Sequence, residues 1–336
     1  MSARALKPSD NSAAQWRLAV WEEIEAVEQC LSMSVLSKVP AIFQISDHLL
    51  SAGGKRLRPA LVALCAKAIG NHYDLDQVIK VGTAVELIHM ATLVHDDVID
   101  QTGVRRGRST ANSSWGNKIS VLSGDHMLSK AFCMLSSDIH SGILQTLSSM
   151  TVTMSESEVL QAVCEGNLDL WREHYFDIVR GKTAGFFASC CKSGGIIGGA
   201  EQELQESLYS YGMHLGVAFQ ITDDILDIAG SPSKTGKSIG ADIREGKYTL
   251  PLLLTIDNAS GPTRDSLMDI LGNANISEED MALVRGAAER TGAIRMAMDT
   301  AAVNSAHAVK ALATIPEGAV KEALSSLAVG VVGRGG

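Results

Sequence analysis

Apolar residues recur along this chain with the 3.6-residue period of a helix, and no segment sustains the two-residue alternation of a half-buried strand. Val81, Ala84, Ile88, Ala91 and His95 trace one helical face. Leu204, Leu208, Tyr211, Leu215 and Phe219 trace another. The breaks between such stretches centre on glycine: Gly53-Gly54, Gly103, Gly107, Gly194-Gly195, Gly198-Gly199 and the loop from Gly230 to Gly246. The pattern predicts an all-α fold, a single domain of about ten or more helices over residues 17–336, preceded by a flexible tail at 1–16.

Two short acidic boxes interrupt this pattern. Asp96-Asp97-Val98-Ile99-Asp100 and Asp223-Asp224-Ile225-Leu226-Asp227 share the DDxxD spacing, and each follows an apolar helical stretch. On a helix the first and fifth residues lie one turn apart on one face. Carboxylates that close repel unless a cation bridges them, and an oxygen-only donor set suits a hard divalent ion, most naturally Mg²⁺. A strongly anionic partner such as a diphosphate fits two such boxes.

Composition narrows the class. Hydrophobic residues make up 46% of the 336 and charged residues 20%, enough for a large core. The net charge of −9 argues against a nucleic-acid surface. No uninterrupted apolar run reaches the roughly 18 residues of a membrane span, and the first residues lack the apolar region of a secretory signal. The six cysteines show no metal-ligand rhythm; the neighbouring Cys190-Cys191 is read as buried thiols in a reducing, cytoplasmic setting rather than a strained bridge.

Basic and polar groups complement the boxes. SAGGKRLRPALVAL sets Lys55, Arg56 and Arg58 before a helix with Pro59 in its first turn, which is either an anion site or a solvated basic loop. His89 lies two turns before Asp96 on nearly the same face, as a structural residue or a functional one. Arg105 and Arg106 follow the first box, and an arginine fork suits bidentate contact with diphosphate oxygens. Lys182, Lys237 and Lys247 each follow a glycine, the last two just after the second box.

Together GGKRLRP, HMATLVHDDVID, RRGRST, GKTAG, FQITDDILD and GKSIGADIREGKYTLP resemble the trans-type polyprenyl diphosphate synthases, from about Leu49 to Pro251. The resemblance implies an all-helical bundle around a central cavity, a homodimer, and head-to-tail condensation of an allylic diphosphate with isopentenyl diphosphate. It implies Mg²⁺ ligands at Asp96, Asp100 and Asp223, with Asp97, Asp224 and Asp227 as further or outer-shell ligands. By the same similarity Lys55, Arg58, His89 and Arg106 hold isopentenyl diphosphate. Arg105, Lys182, Thr183, Gln220 and Lys237 hold the allylic diphosphate, with Lys247 near the departing group. Asp96, Asp100, Asp223, Lys182 and Lys237 then carry the catalytic work. Closure of the loop from Gly230 to Gly246 is the expected means of excluding water. A peripheral membrane contact is expected for product release, without a transmembrane segment.

The alternatives are a short-chain farnesyl or geranylgeranyl diphosphate synthase, a class I terpene cyclase, or a non-catalytic partner subunit. The aspartate-rich second box and the intact GGKRLRP favour chain elongation over the last two. Arg180-Gly181 and the small-residue end LAVGVVGRGG depart from the family pattern. In this family an aromatic residue five positions before the first box stops chain growth. Here Ala91 stands there, with Thr92 and Ile88 beside it, so the expected product is long, hexaprenyl to decaprenyl. Replacing Ala91→Phe shortens the product in a chromatographic size assay; an unchanged size distribution refutes this reading of the wall.

Overall fold

The computed structural model describes residues 15–70, 72–105, 107–230, 240–271, 273 and 276–333. Helices dominate. In chain order they are α1 (Gln15–Ala19), α2 (Trp21–Ser34), α3 (Pro40–Ser51), α4 (Leu57–Ile69), α5 (Leu75–Ile99), α6 (Ala111–Trp115), α7 (Asn117–Leu135), α8 (Ser141–Cys164) and α9 (Leu168–Val179). A π-helical turn (Arg180–Ala184) joins α9 to α10 (Gly185–Ile197), followed by α11 (Gln202–Ala229), α12 (Ala241–Arg244), α13 (Leu250–Asn258), α14 (Gly261–Leu271), α15 (Glu278–Arg290), α16 (Ala293–Ala311) and α17 (Ala319–Val332). The chain forms two compact units. One runs to Ser148 and adds Ser189–Tyr209 and Leu312–Leu327; the other holds Ser149–Ala188, Ser210–Ala311 and the residues from Ala328 onward.

In the first unit α5 is the centre, packed most extensively on α7 and also on α2 and α4. Asp74 caps its start by accepting the Gln77 N–H. Val81, Ala84, Ile88 and Ala91 are all buried, as their spacing predicts. By length and hydropathy α5 alone among the described helices is apolar enough to cross a membrane, but 67% of its apolar window is buried inside the protein. It is the core helix of this unit. Gly82 sets how closely its neighbours approach: a Cβ there would lie 2.9 Å from Val27 Cγ2 of α2 and 3.5 Å from Pro59 Cβ of α4.

The second unit has its own core, in which Trp171 and Tyr175 of α9 pack with Ile221, Ile225 and Ile228 of α11 and with side chains of α13, α15 and α16. Two glycines of α11 decide the position of the π-helical turn. A Cβ on Gly212 would lie 2.6 Å from Ala188 Cα, and one on Gly216 2.4 Å from Ala184 Cα. Backbones meet there at a distance no larger side chain permits.

Three expectations need correction. Residues 15 and 16 belong to α1 rather than to a tail, because Trp16 is buried. Gly194 and Gly195 sit inside α10 and do not break it; they are packing residues, the first against Val62 O of α4 and the second against Leu208 of α11. A small hairpin, β1 (Val104–Arg105) paired with β2 (Arg108–Ser109), interrupts the helices after the first box.

Glycine-to-alanine substitutions in helices test this packing because context reverses their sign. Gly330→Ala in α17, with nothing within 4 Å of its Cβ position, raises the unfolding free energy by about 0.5–1 kcal/mol through helix propensity. Gly216→Ala lowers it by about 1–3 kcal/mol through overpacking. Urea midpoints at unchanged slope measure both.

Candidate active site

The first box occupies the last turn of α5. Asp100 is its C-cap, and Gln101, at φ 51°, turns the chain away in a left-handed conformation. Asp96 and Asp100 are half-buried on one face, while Asp97 is 1% exposed. The Asp97 carboxylate accepts from Arg105 Nε at 2.8 Å, and its carbonyl accepts from Asn112 Nδ2 at 3.0 Å. Burial pushes the Asp97 carboxyl above the usual carboxylate range, opposed by Arg105. The hairpin after the box is what brings Arg105 back onto it.

The basic residues expected to hold the second substrate lie in the same unit. Lys55 is exposed and Arg58 half-buried at the start of α4, and His89 is half-buried on α5. Burial lowers the Arg58 pKa, against the pull of Cys190, Glu86 and Asp96 nearby. Arg106 lies outside the described residues. On the proposed product wall Ile88 and Ala91 are fully buried, and the half-buried Thr92 donates its hydroxyl to the His89 carbonyl at 2.8 Å. One turn beyond Ala91, the His95 ring fills the space left by Gly124 of α7.

In the second unit the second box lies near the end of α11. Asp223 is exposed, whereas Asp224 is 2% exposed. Tyr175 Oη donates to Asp224 Oδ2 at 2.6 Å, and Gln220 Nε2 donates to Oδ1 at 2.8 Å. Burial and the nearby Asp242 hold the Asp224 carboxyl well above the usual range, opposed by these two donors. Asp227 accepts the backbone N–H groups of Ala241 and Asp242 at 3.2 and 3.3 Å. The box thus splits by role: Asp223 faces out, and Asp224 and Asp227 hold the protein together around it.

Lys182 and Thr183 sit on the π-helical turn, a local widening that recurs at functional sites. Gly181 makes it possible, since a Cβ there would lie 1.8 Å from Ser157 Oγ. Lys182 Nζ pairs with Glu158 of α8 at 2.9 Å, and Thr183 donates to Gln220 Oε1 at 2.8 Å. Thr183, Gln220, Asp224 and Tyr175 therefore form one hydrogen-bonded chain. Lys247 is buried and paired with Glu245 at 2.8 Å. Lys237, and the loop segment 231–239 expected to close over the site, lie outside the described residues.

The donor chemistry fits a hard divalent ion. Asp96 and Asp100 offer only oxygens, one turn apart, and neither α5 nor α11 has a basic residue in its last turn to neutralise them. Among the described residues no three His, Cys, Asp or Glu side chains form a ready-made cage. Mg²⁺ is commonly held in that manner, by one or two carboxylates with substrate phosphates completing the shell. All six cysteines are free; Cys190 and Cys191 are buried and do not bridge. Sequence reasoning missed Tyr175, Glu158 and the π-helical turn, and the Arg180-Gly181 that broke the expected pattern was the one signal for the turn.

Residues 39–286 match the polyprenyl synthetase family. The chain is 36% identical to the all-trans-nonaprenyl-diphosphate synthase (geranyl-diphosphate specific) of Rhodobacter capsulatus, over 92% of this chain and 94% of the relative. It is 33% identical to the octaprenyl diphosphate synthase of Escherichia coli K12, over 91% and 94% respectively. A solved polyprenyl synthase from Caulobacter crescentus CB15, complexed with calcium and isoprenyl diphosphate, is similar at a TM-score of 0.91 and 35% identity, over 97% of this chain and 99% of that one.

Removing the phenol hydroxyl with Tyr175→Phe leaves Asp224 buried with one donor fewer. Thermal unfolding then reports a loss of about 1–3 kcal/mol with helical dichroism retained; unchanged stability means that Gln220 alone satisfies the carboxyl.

Proposed function

The chain belongs to the polyprenyl synthetase family, and on that premise we propose how its residues share one reaction. It is a trans-polyprenyl diphosphate synthase of the long-chain type, a prenyltransferase that condenses an allylic diphosphate with isopentenyl diphosphate head to tail, repeatedly. The observation that carries the residue assignment is the placement of both acidic boxes at helix ends that contain no basic side chain.

Asp96, Asp100 and Asp223 are the direct ligands of the divalent ions, proposed to be Mg²⁺, with Asp97, Asp224 and Asp227 orienting them from behind. Arg105, Lys182, Thr183, Gln220, Lys237 and Lys247 hold the allylic diphosphate. Lys55, Arg58, His89 and Arg106 hold isopentenyl diphosphate. When bound, Mg²⁺ supplies positive charge to the departing diphosphate. Lys182 and Arg105 add fixed charge at the same group, oriented by Glu158 and Asp97. The allylic C–O bond breaks with its electron pair on the diphosphate. The isopentenyl double bond then forms the new C–C bond, and the proton it loses passes to the released diphosphate. Apolar walls at Ile88 and Ala91 keep water from the cation. The small side chain of Ala91 supports a hexaprenyl to decaprenyl product.

The protein is proposed to act as a cytoplasmic homodimer with a peripheral membrane contact for product release. Free cysteines support the compartment. Exposed apolar side chains support the dimer: Ile119 and Leu122 on α7, and Val152, Val159 and Val163 on α8.

Asp96→Ala and Asp223→Ala each lower turnover by about three orders of magnitude or more while far-UV dichroism stays helical. Chelation with EDTA abolishes wild-type activity and excess Mg²⁺ restores it. Full activity in either variant, or in EDTA, refutes the assignment.

A further inference from the structure

We propose that Glu86 is a positioning residue for isopentenyl diphosphate, acting through Arg56 to fix the loop that presents Lys55 and Arg58; the inference rests on the substrate assignment above. Glu86 is the lone carboxylate on the buried stretch of α5 from Val81 to Ile88, and it is 4% exposed. A charge there persists only if paired. Arg56 Nη1 meets it at 2.8 Å. The other side of the same guanidinium meets Glu28 of α2, Nε to Oε1 at 2.5 Å and Nη2 to Oε2 at 3.4 Å. Nε, Nη1 and Nη2 all face carboxylates, so Arg56 acts as a strut rather than an anion ligand. It sits at φ 51°, a left-handed conformation that a residue with a side chain adopts only where its surroundings enforce it.

Packing explains why the strut ends on Glu86. Gly82, one turn earlier on the same face, lets Val27 of α2 and Pro59 of α4 close on α5. That contact brings Glu28, next to Val27, and Arg56, just before α4, up to Glu86, so that the guanidinium lies between the two carboxylates. Lys55 and Arg58 flank the fixed residue, and Arg58 also lies within electrostatic reach of Glu86. A carboxylate beside an anion-binding loop is electrostatically adverse for the anion. Its presence there is accounted for by the geometry it imposes.

That opposition supplies a test with a sign. In Glu86→Gln the loop gains one net positive charge, so electrostatics alone lowers KM for isopentenyl diphosphate. Loss of the strut raises it instead. The expected result is a rise of about tenfold or more in KM for isopentenyl diphosphate, with KM for the allylic diphosphate and kcat at saturation each within about threefold of wild type. An unchanged or lower KM for isopentenyl diphosphate overturns the proposal. So does an equal rise in both KM values, or a fall in kcat alone, either of which marks a general structural role. Should Glu86→Gln not fold, Glu28→Gln at the more exposed end of the strut carries the same test, with a smaller rise expected in the same KM and none counting against it. Wild-type protein inactive with both substrates overturns the substrate assignment rather than this inference.

Discussion

The structure is organised by carboxylates placed where a helix least tolerates them. The end of a helix carries about half a unit of negative charge from its aligned peptide dipoles. Here α5 and α11 each add an aspartate box to that end and no basic side chain. Two carboxylates about 4 Å apart repel by roughly 1 kcal/mol in water and several times that near a protein surface. Helix propensity, a few tenths of a kcal/mol per residue, is too small to offset this. The arrangement is comfortable only with cations present, and the chain supplies part of that charge itself from Arg105 beside the first box.

What keeps those charges in place is close packing by small residues. Gly82 lets α2 and α4 approach α5, and with them Glu28 and Arg56. Gly212 and Gly216 let α11 approach Ala188 and Ala184, which sets the π-helical turn where Thr183 reaches Gln220. In both units a missing side chain on one helix positions a polar side chain one turn away. The buried aspartates belong to the same design. Asp97 and Asp224 are committed to Arg105 and to Tyr175 with Gln220, so their neighbours Asp96 and Asp223 are held in fixed orientation.

Much of this was legible in the sequence, and the parts that were not share a cause. Helical periodicity placed Val81, Ala84, Ile88 and Ala91 on one buried face because burial repeats with the backbone. The acidic boxes stood out because like charges at that spacing have few structural uses. The family resemblance followed from several motifs in order, and relatives of known activity bear it out. The split within each box was hidden, since which aspartate turns inward depends on partners far away in sequence: Tyr175 is 49 residues from Asp224. Glycine misled for a related reason. Gly194 and Gly195 read as a break, yet the space they vacate is taken by α4 and Leu208, and a single sequence does not distinguish a glycine that bends the chain from one that admits a neighbour. The π-helical turn depends on Gly181 meeting Ser157, again a contact no local pattern encodes.

The most direct measurement is calorimetric titration of an allylic thiolodiphosphate, which binds but resists ionisation, into the protein with Mg²⁺ and in EDTA. Carboxylate pairs that require a bridging cation predict tight binding with Mg²⁺ and loss of about a hundredfold or more in its absence. Equal affinity in the two buffers contradicts the account, because the basic side chains would then suffice and the aspartate boxes would have no charge to answer.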